Sequence, residues 1–355
     1  MKLILDNYSI YLNSIEETLS HFLNQKTYSQ YFILVDENTQ AHCLPKIKSS
    51  SQLSNATIIG IKSGEINKNL NTCQHIWSCL LAANADRNAL LINLGGGVIG
   101  DMGGFAASCY KRGISFVQIP TTLLAQVDAS IGGKLGVDYQ NVKNIIGCFN
   151  NPEAVFIDPT FLQSLSLQQI QNGFAEIIKH ALIADADYWT QLQTIKNFST
   201  TNWTPIIYQS LCIKKNIVNQ DPYEKGLRKV LNFGHTLGHA VESYSLQHDT
   251  TPLLHGEAIA IGMVMENYLS YKKLGFDKQQ MDRVNQFLLH LYPNYPLPKN
   301  SHEALITYLK NDKKNDGLHT NFSLLKTIGN AQYNQYLNTE TIKEALEYYQ
   351  NLLTL

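Results

Sequence analysis

Short apolar runs alternate with helix-period segments over the first 160 or so residues of the chain. Residues 31–35, 57–61, 89–94 and 115–119 each form a short, mainly apolar run, which predicts a strand. Between the second and third runs, Ile66, Leu70, Cys73, Ile76, Trp77, Leu80 and Leu81 recur with a period near 3.6, which predicts a crossover helix. Strands alternating with helices predict βαβ units and a parallel sheet. Beyond Asp158-Pro159 helical periodicity dominates through Leu274, with a late β-like stretch at 321–328 and a closing helix near 339–352. The fold class expected is α/β, with an N-terminal parallel-sheet domain over residues 1–159 and a mainly α-helical domain over 160–355. No internal repeat, low-complexity tract or long Pro/Gly/Ser linker interrupts it.

Composition narrows the function. The length of 355 residues suits two domains, and 44% apolar against 16% charged residues excludes a disordered protein. With 28 Lys+Arg against 29 Asp+Glu the net charge is -1, so no global basic field favours nucleic acid. The six cysteines contain no C-x-x-C pair and read as free thiols of a reducing cytoplasm. Residues 1–5 are too short for a signal h-region, and the longest apolar run, 258–265, falls far below a membrane span. A soluble cytoplasmic protein with neither membrane nor nucleic-acid partner is expected.

Three groups of residues carry candidate chemistry. Gly95-Gly96-Gly97-Val98-Ile99-Gly100-Asp101 follows a strand and opens a helix, where backbone N–H groups and the helix dipole can receive a pyrophosphate. It matches G-x-G-x-x-G, yet two predicted strands precede it and no carboxylate lies about 20 residues on. A tight turn that needs glycine for its backbone explains the loop as well as a phosphate cradle does. In the second half, Glu176, Lys179 and His180 share a helix face. His235 and His239 stand one turn apart and His255-Gly256-Glu257 follows. One carboxylate and two imidazoles from three segments make an N/O donor set that suits Zn²⁺. H-x-x-x-H without the Glu of H-E-x-x-H excludes a metalloprotease motif, and spacing alone leaves open which of His235 and His239 is the ligand. Finally, Arg112, Lys134, Lys143, Lys179, Lys214, Arg228 and the Lys313-Lys314 pair lie beside glycines, small polar residues or the metal candidates. In a chain this poor in charge they point to an anionic ligand.

Taken together, Gly95-Gly96-Gly97-Val98-Ile99-Gly100-Asp101, Arg112-Gly113, the run Gln118-Ile119-Pro120-Thr121-Thr122 through Asp128, Gly132-Gly133-Lys134, Lys143-Asn144, Ala175-Glu176-Ile177-Ile178-Lys179, Gly226-Leu227-Arg228, Leu231-Asn232-Phe233-Gly234-His235-Thr236-Leu237-Gly238-His239, His255-Gly256-Glu257 and Asp312-Lys313-Lys314 resemble the 3-dehydroquinate synthase family of sugar-phosphate cyclases, in order over nearly the whole chain. The resemblance implies a homodimeric, NAD- and zinc- (or cobalt-) dependent carbon–oxygen lyase of the shikimate pathway, on the route to chorismate and the aromatic amino acids. Its reaction would convert 3-deoxy-D-arabino-heptulosonate 7-phosphate to 3-dehydroquinate and phosphate. The first domain would then bind the nucleotide, the second the metal and substrate.

Carried over by motif, Glu176, His235 and His255 would hold the metal and His239 would face the substrate. The pyrophosphate would fall to Gly96, Gly97 and Asp101, with further NAD contacts from Asp36, Glu65, Lys68, Thr121, Thr122, Lys134, Lys143, Phe161 and Ser164. Lys134, Asn144, Lys214, Arg228, Asn232, His239 and Lys313 would take the substrate's phosphate and carboxylate, while Arg112 would reach into the partner subunit's site. Asp128 and Lys179 are the candidates for orienting substrate hydroxyls and moving their protons. Leu135, Val142 and Ser63 depart from the family's usual Thr, Gly and Asp. A metal-dependent polyol dehydrogenase of related fold would share the glycine loop and the carboxylate/His/His set, but a neutral polyol gives the cations nothing to neutralise. Another sugar-phosphate cyclase would have no use for Lys214 and Arg228 unless its substrate carried a carboxylate, and a non-catalytic binding module would not need the intact ligand set.

Overall fold

The computed structural model describes every residue except 6, 141, 299–300, 311–318 and 355. The strands in chain order are β1 (Lys2–Ile4), β2 (Ser9–Leu12), β3 (Tyr31–Asp36), β4 (Thr57–Ile61), β5 (Leu90–Gly95), β6 (Ser115–Pro120), β7 (Lys134–Tyr139), β8 (Val142–Phe149), β9 (Ala154–Ile157), β10 (Thr320–Thr327) and β11 (Asn330–Leu337). The helices are α1 (Ile15–Gln25), α2 (Glu37–His42), α3 (Leu44–Ile47), α4 (Leu70–Ala82), α5 (Gly97–Cys109), α6 (Leu167–Ala184), α7 (Ala186–Leu192), α8 (Trp203–Gln220), α9 (His235–His248), α10 (His255–Leu274), α11 (Lys278–Leu291), α12 (His302–Lys310) and α13 (Thr339–Leu352).

The four apolar runs expected as strands are β3 to β6, and they form the middle of a seven-stranded sheet of order β1-β2-β9-β6-β5-β3-β4. Every pairing is parallel except β1 with β2. Alternate residues of β3 explain the continuous hydrophobicity: Phe32 and Leu34 enter one core cluster, with Ile76 and Met102, while Ile33 and Val35 enter the other, with Leu19 and Phe156. A parallel sheet covered on both faces demands apolar side chains on both. The crossover helix begins at Leu70, a turn later than its hydrophobic period suggests, because Asn69 caps it by accepting from the Thr72 N–H at 3.1 Å. Ile66 instead lies in a 3₁₀ turn, 88% exposed. β11 was not expected: its sequence NAQYNQYL is polar at half its positions, and antiparallel pairing with β10 forms it.

By contacts the chain divides into two units, Met1–Ile170 with Asn202–Asn219, and Gln171–Thr201 with Gln220–Leu355. This differs from two consecutive stretches meeting at residue 159. The reason lies in α8, whose Lys214 Nζ donates to the Asp128 carbonyl at 2.6 Å and to its Oδ1 at 2.7 Å, tying the helix to the first unit. In the second unit α9 and α10 pack at close range. A Cβ on Gly262 would run into the Gly234 carbonyl oxygen, and one on Gly238 would lie 3.0 Å from that of Ala258. The apolar run 258–265 is buried inside α10; no helix among the described residues is long and apolar enough to cross a membrane.

Candidate functional site

In the first unit the residues expected to bind NAD lie largely where adjacent parallel strands end, the carboxyl edge at which open α/β sheets bind ligands. Asp36 closes β3, Gly96 and Gly97 follow β5, Thr121 and Thr122 follow β6, and Phe161 and Ser164 lie just beyond β9. Gly96 occupies the N-cap of α5 and has no side chain to cap it, leaving the first-turn N–H groups of α5 to a ligand. A Cβ at Gly96 would sit 3.0 Å from Thr122 Cγ2, so glycine here keeps the backbone accessible beside Thr122. The Thr121 N–H donates to the Gly95 carbonyl at 3.0 Å. Beyond β4, Glu65, Lys68, Asp101 and Lys143 come together: Lys68 Nζ is 2.6 Å from Asp101 Oδ2 and 3.9 Å from Glu65, and Lys143 Nζ is 3.7 Å from Glu65. Burial alone would depress the Lys68 ammonium, but Asp101 and then Glu65 outweigh it and hold its pKa above the ordinary lysine value. Asp36 also N-caps α2, accepting from the Thr39 N–H at 2.7 Å. Phe161 is a core side chain, 1% exposed, with Lys46 Nζ 5.2 Å from its ring centroid.

Asp128 sits in a π-helical turn, Ala125–Ala129, a rare conformation found mostly at functional positions. Lys214 is engaged with it, so this cation has a carboxylate partner within the protein. Gly132 and Gly133 have φ of 95° and 66°, and aim Lys134 outward at the start of β7, where it is exposed. Lys111, Arg112 and Gly113 run consecutively at positive φ, 49°, 67° and 114°, a costly conformation for the first two; it leaves Arg112 exposed. Asn144, also at positive φ, donates its N–H to Asp138 Oδ1 at 2.8 Å. Two of the three departures have local reasons, and nothing in the structure explains Val142. Leu135 is buried beneath α5, where a Cβ on Gly104 would collide with it. Ser63 donates its hydroxyl to Glu37 Oε1 at 2.6 Å, where an Asp would repel.

The second unit gathers the metal candidates. Glu176 on α6 is fully buried, and His235 Nε2 and His255 Nε2 lie 3.3 Å and 3.6 Å from its Oε1. Lys179, one turn on, is in ion-pair contact with Oε2. Burial alone would raise the Glu176 carboxyl; Lys179 first, then His235, hold it well below the usual carboxylate range. Burial, seconded by Lys179, lowers the His235 pKa. For His255 burial pulls the same way, but Glu242 and Glu176 outweigh it and push the pKa up to about 9. Both imidazoles have Nδ1 turned away from Glu176: that of His235 is 3.1 Å from the Phe233 carbonyl, and that of His255 is 3.4 Å from Glu242 Oε2. This arrangement presents both Nε2 atoms toward one carboxylate oxygen. Glu176 Oε1, which faces the two imidazoles, makes no well-formed hydrogen bond despite burial, a cost that a cation with two imidazole ligands removes. The donor set therefore fits a divalent metal.

His239 lies beside the pair, with ring centroids 5.1 Å from His235 and 5.8 Å from His255. Arg228 is buried, its Nη1 donating to the Pro222 carbonyl at 2.5 Å, and Asn232 Nδ2 donates to Glu224 Oε1 at 2.5 Å. Both candidates for the substrate's anions are thus held by the 221–224 turn. Lys313 and Lys314 lie outside the described residues. The residues that reading the sequence missed are those behind the ligands: Asn172, whose Oδ1 accepts from the Gly256 N–H at 2.5 Å, Glu242 and Glu266. One signal was available, since Glu242 follows His239 by three positions and His235 by seven, on one helix face.

A family model described as 3-dehydroquinate synthase N-terminal matches residues 58–172, and one described as 3-dehydroquinate synthase C-terminal matches 173–315. The 3-dehydroquinate synthase of Parabacteroides distasonis is 40% identical over 338 residues, covering 94% of this chain and 95% of that protein. Among solved structures, a 2-epi-5-epi-valiolone synthase from Streptomyces hygroscopicus subsp. jinggangensis with NAD⁺ and Zn²⁺ bound has a TM-score of 0.84 at 25% identity, covering 99% of this chain and 98% of its own. A 2-deoxy-scyllo-inosose synthase complexed with carbaglucose-6-phosphate, NAD⁺ and Co²⁺ has a TM-score of 0.83 at 23% identity, covering 99% of both chains, and speaks for the fold alone.

Proposed function

This chain belongs to the 3-dehydroquinate synthase family, and we propose that it converts 3-deoxy-D-arabino-heptulosonate 7-phosphate to 3-dehydroquinate and phosphate with NAD and a divalent metal, Zn²⁺ or Co²⁺. The observation that carries the reading is the convergence of His235 Nε2 and His255 Nε2 on a buried, ionised Glu176. When bound, NAD⁺ takes up and returns a hydride, and the metal acts as a Lewis acid toward substrate oxygens.

The chain's own residues do the rest. Glu176, His235 and His255 would hold the metal, with Lys179 keeping Glu176 ionised. Gly96, Gly97 and the open N–H groups of α5 would receive the pyrophosphate, and Lys68 would neutralise Asp101 beside it. Lys134, lifted outward by two left-handed glycines, would pair with the substrate's phosphate as a point charge. Arg228 and Asn232 would bind an anion by exchanging their contacts to the 221–224 turn for substrate oxygens. His239 would contact the substrate. Asp128 would accept a proton from a substrate hydroxyl, its carboxylate held in place by Lys214 Nζ. The substrate's own phosphate would serve as base in its elimination. We further propose a cytoplasmic homodimer in which Arg112 serves the partner's site.

The test is an assay of phosphate release with absorbance at the NADH band followed in parallel. Phosphate released in step with substrate consumed, at catalytic NAD⁺ and without NADH accumulation, is the expected result. Continuous NADH build-up with a neutral polyol, and no phosphate from the heptulosonate, would overturn the reading in favour of a dehydrogenase.

A further inference from the structure

Two buried carboxylates stand behind the donor set, one on each of the helices that carry the imidazoles. Glu242 on α9 is 2% exposed, and its Oε2 reaches across to His255 Nδ1 of α10 at 3.4 Å. Glu266 on α10 is fully buried and reaches the other way: Oε2 accepts from the Gly234 N–H at 2.6 Å and Oε1 from the Leu237 N–H at 3.0 Å, at the first turn of α9. Each helix thus supplies one ligand-candidate imidazole and one carboxylate, and each carboxylate secures the ligand imidazole of the other helix.

The need for Glu266 follows from the packing of the two helices. The N-cap of α9 is Gly234, at φ 79°, and a Cβ there would collide with Met263 and lie 3.2 Å from the Ile259 carbonyl. Glycine is required at that position and has no side chain to cap the helix, so the orphan N–H groups take their acceptor from α10. The turn so fixed is the one in which the Phe233 carbonyl meets His235 Nδ1. For His255 the acceptor is Glu242 itself. A carboxylate buried for packing alone costs more than an apolar residue of the same shape, whereas one that orients a ligating imidazole and raises its donor strength has a return.

We propose that Glu242 and Glu266 are positioning residues of the metal centre: Glu242 accepts the Nδ1–H of His255 and so fixes its ring and tautomer, and Glu266 fixes the turn that presents His235. The proposal rests on the metal reading above. The test uses the full chain, with Zn²⁺ affinity measured by chelator competition, the visible spectrum of the Co²⁺-loaded protein, and the melting of the metal-free protein. E242A should bind metal about 10- to 100-fold more weakly. E242Q, whose amide oxygen accepts the same proton, should lose less and shift the Co²⁺ bands. E266Q sets an amide N–H₂ against a backbone N–H and should weaken metal binding while lowering the melting temperature. Lower melting with metal affinity kept within about twofold of the parent would make the carboxylates structural only and overturn the proposal. His255→Ala separates the two readings: affinity unchanged there rejects the metal site itself, whereas affinity lost there and kept in E242A rejects the proposal alone. The unmodified Co²⁺ protein tests the claim without any substitution. Two exchangeable, metal-shifted ring N–H proton resonances are expected, and a single one counts against Glu242.

Discussion

Glu176 shows how a few neighbours settle what a side chain is. Buried by itself it would be a neutral acid; beside Lys179, paired with one oxygen, and two imidazoles facing the other, it is a carboxylate. The same reasoning separates the two histidines of α9 that helical spacing leaves equivalent. His235 Nε2 faces Glu176 at 3.3 Å with Nδ1 turned to the Phe233 carbonyl, which makes it the candidate ligand. His235→Ala is therefore expected to lose bound metal, while His239→Ala keeps metal and loses rate. Elemental analysis alongside turnover checks this, and the reverse pattern would mean the pair is assigned backwards. Ser63 is a residue-scale counterpart: departing from the family's Asp, it is explained by Glu37, a partner 26 positions away in sequence that no local pattern announces.

At the scale of elements, the turn leading into Leu227–Asn232 is held by one carboxylate. Asp221 accepts from the N–H groups of Lys225, Gly226 and Arg228 at 2.9, 2.7 and 3.0 Å. Burial would raise its pKa, but those N–H groups, together with the Arg228 charge, outweigh it and bring the pKa below the ordinary aspartate value. A group with a depressed folded pKa stabilises the fold above its unfolded pKa, about 3.9 for Asp, and loses that contribution as pH falls through the lower, folded value. The turn should thus keep its amide protection through mildly acidic pH and loosen only below about pH 4. Asp221→Asn should loosen it already at neutral pH. Hydrogen exchange at Gly226 and Arg228, corrected for intrinsic rates, measures both; protection lost well above pH 4 in the parent would show that Asp221 is not what holds the turn. The strands β3 to β6 were legible from their apolar runs, because a strand buried on both faces has one pattern. The half-polar β11 and the π-helical turn at Asp128 were not, since pairing and packing create them against local preference.

On the scale of the whole molecule, the family of this chain is carried by motifs spread from Gly95 to Lys314, and the two family models together span residues 58–315. Its proposed assembly is testable through Arg112, exposed in a turn where Lys111, Arg112 and Gly113 all have positive φ. If Arg112 serves the partner's site, the inactive variants Arg112→Ala and Glu176→Ala should recover activity when mixed and allowed to exchange subunits, with at most one working site per mixed dimer. Absence of any recovery, with exchange shown independently by mass spectrometry of tagged chains, would mean each subunit is self-sufficient.

By itself the sequence determined the alternation of strand and helix in the first half, the glycine loop at a strand's end, and the presence of a carboxylate and imidazoles fit for a metal. These follow from periods of 2 and 3.6 residues and from the chemistry of residue types, both readable one segment at a time. The tertiary structure alone decided the division of the chain, because α8 joins the first unit through Lys214 and Asp128, residues 86 positions apart. It also decided which imidazole nitrogen faces Glu176 and which carboxylates stand behind each ring. Such contacts depend on how α6, α9 and α10 pack, and that is set by glycines such as Gly234, Gly238 and Gly262, whose missing side chains let backbones approach.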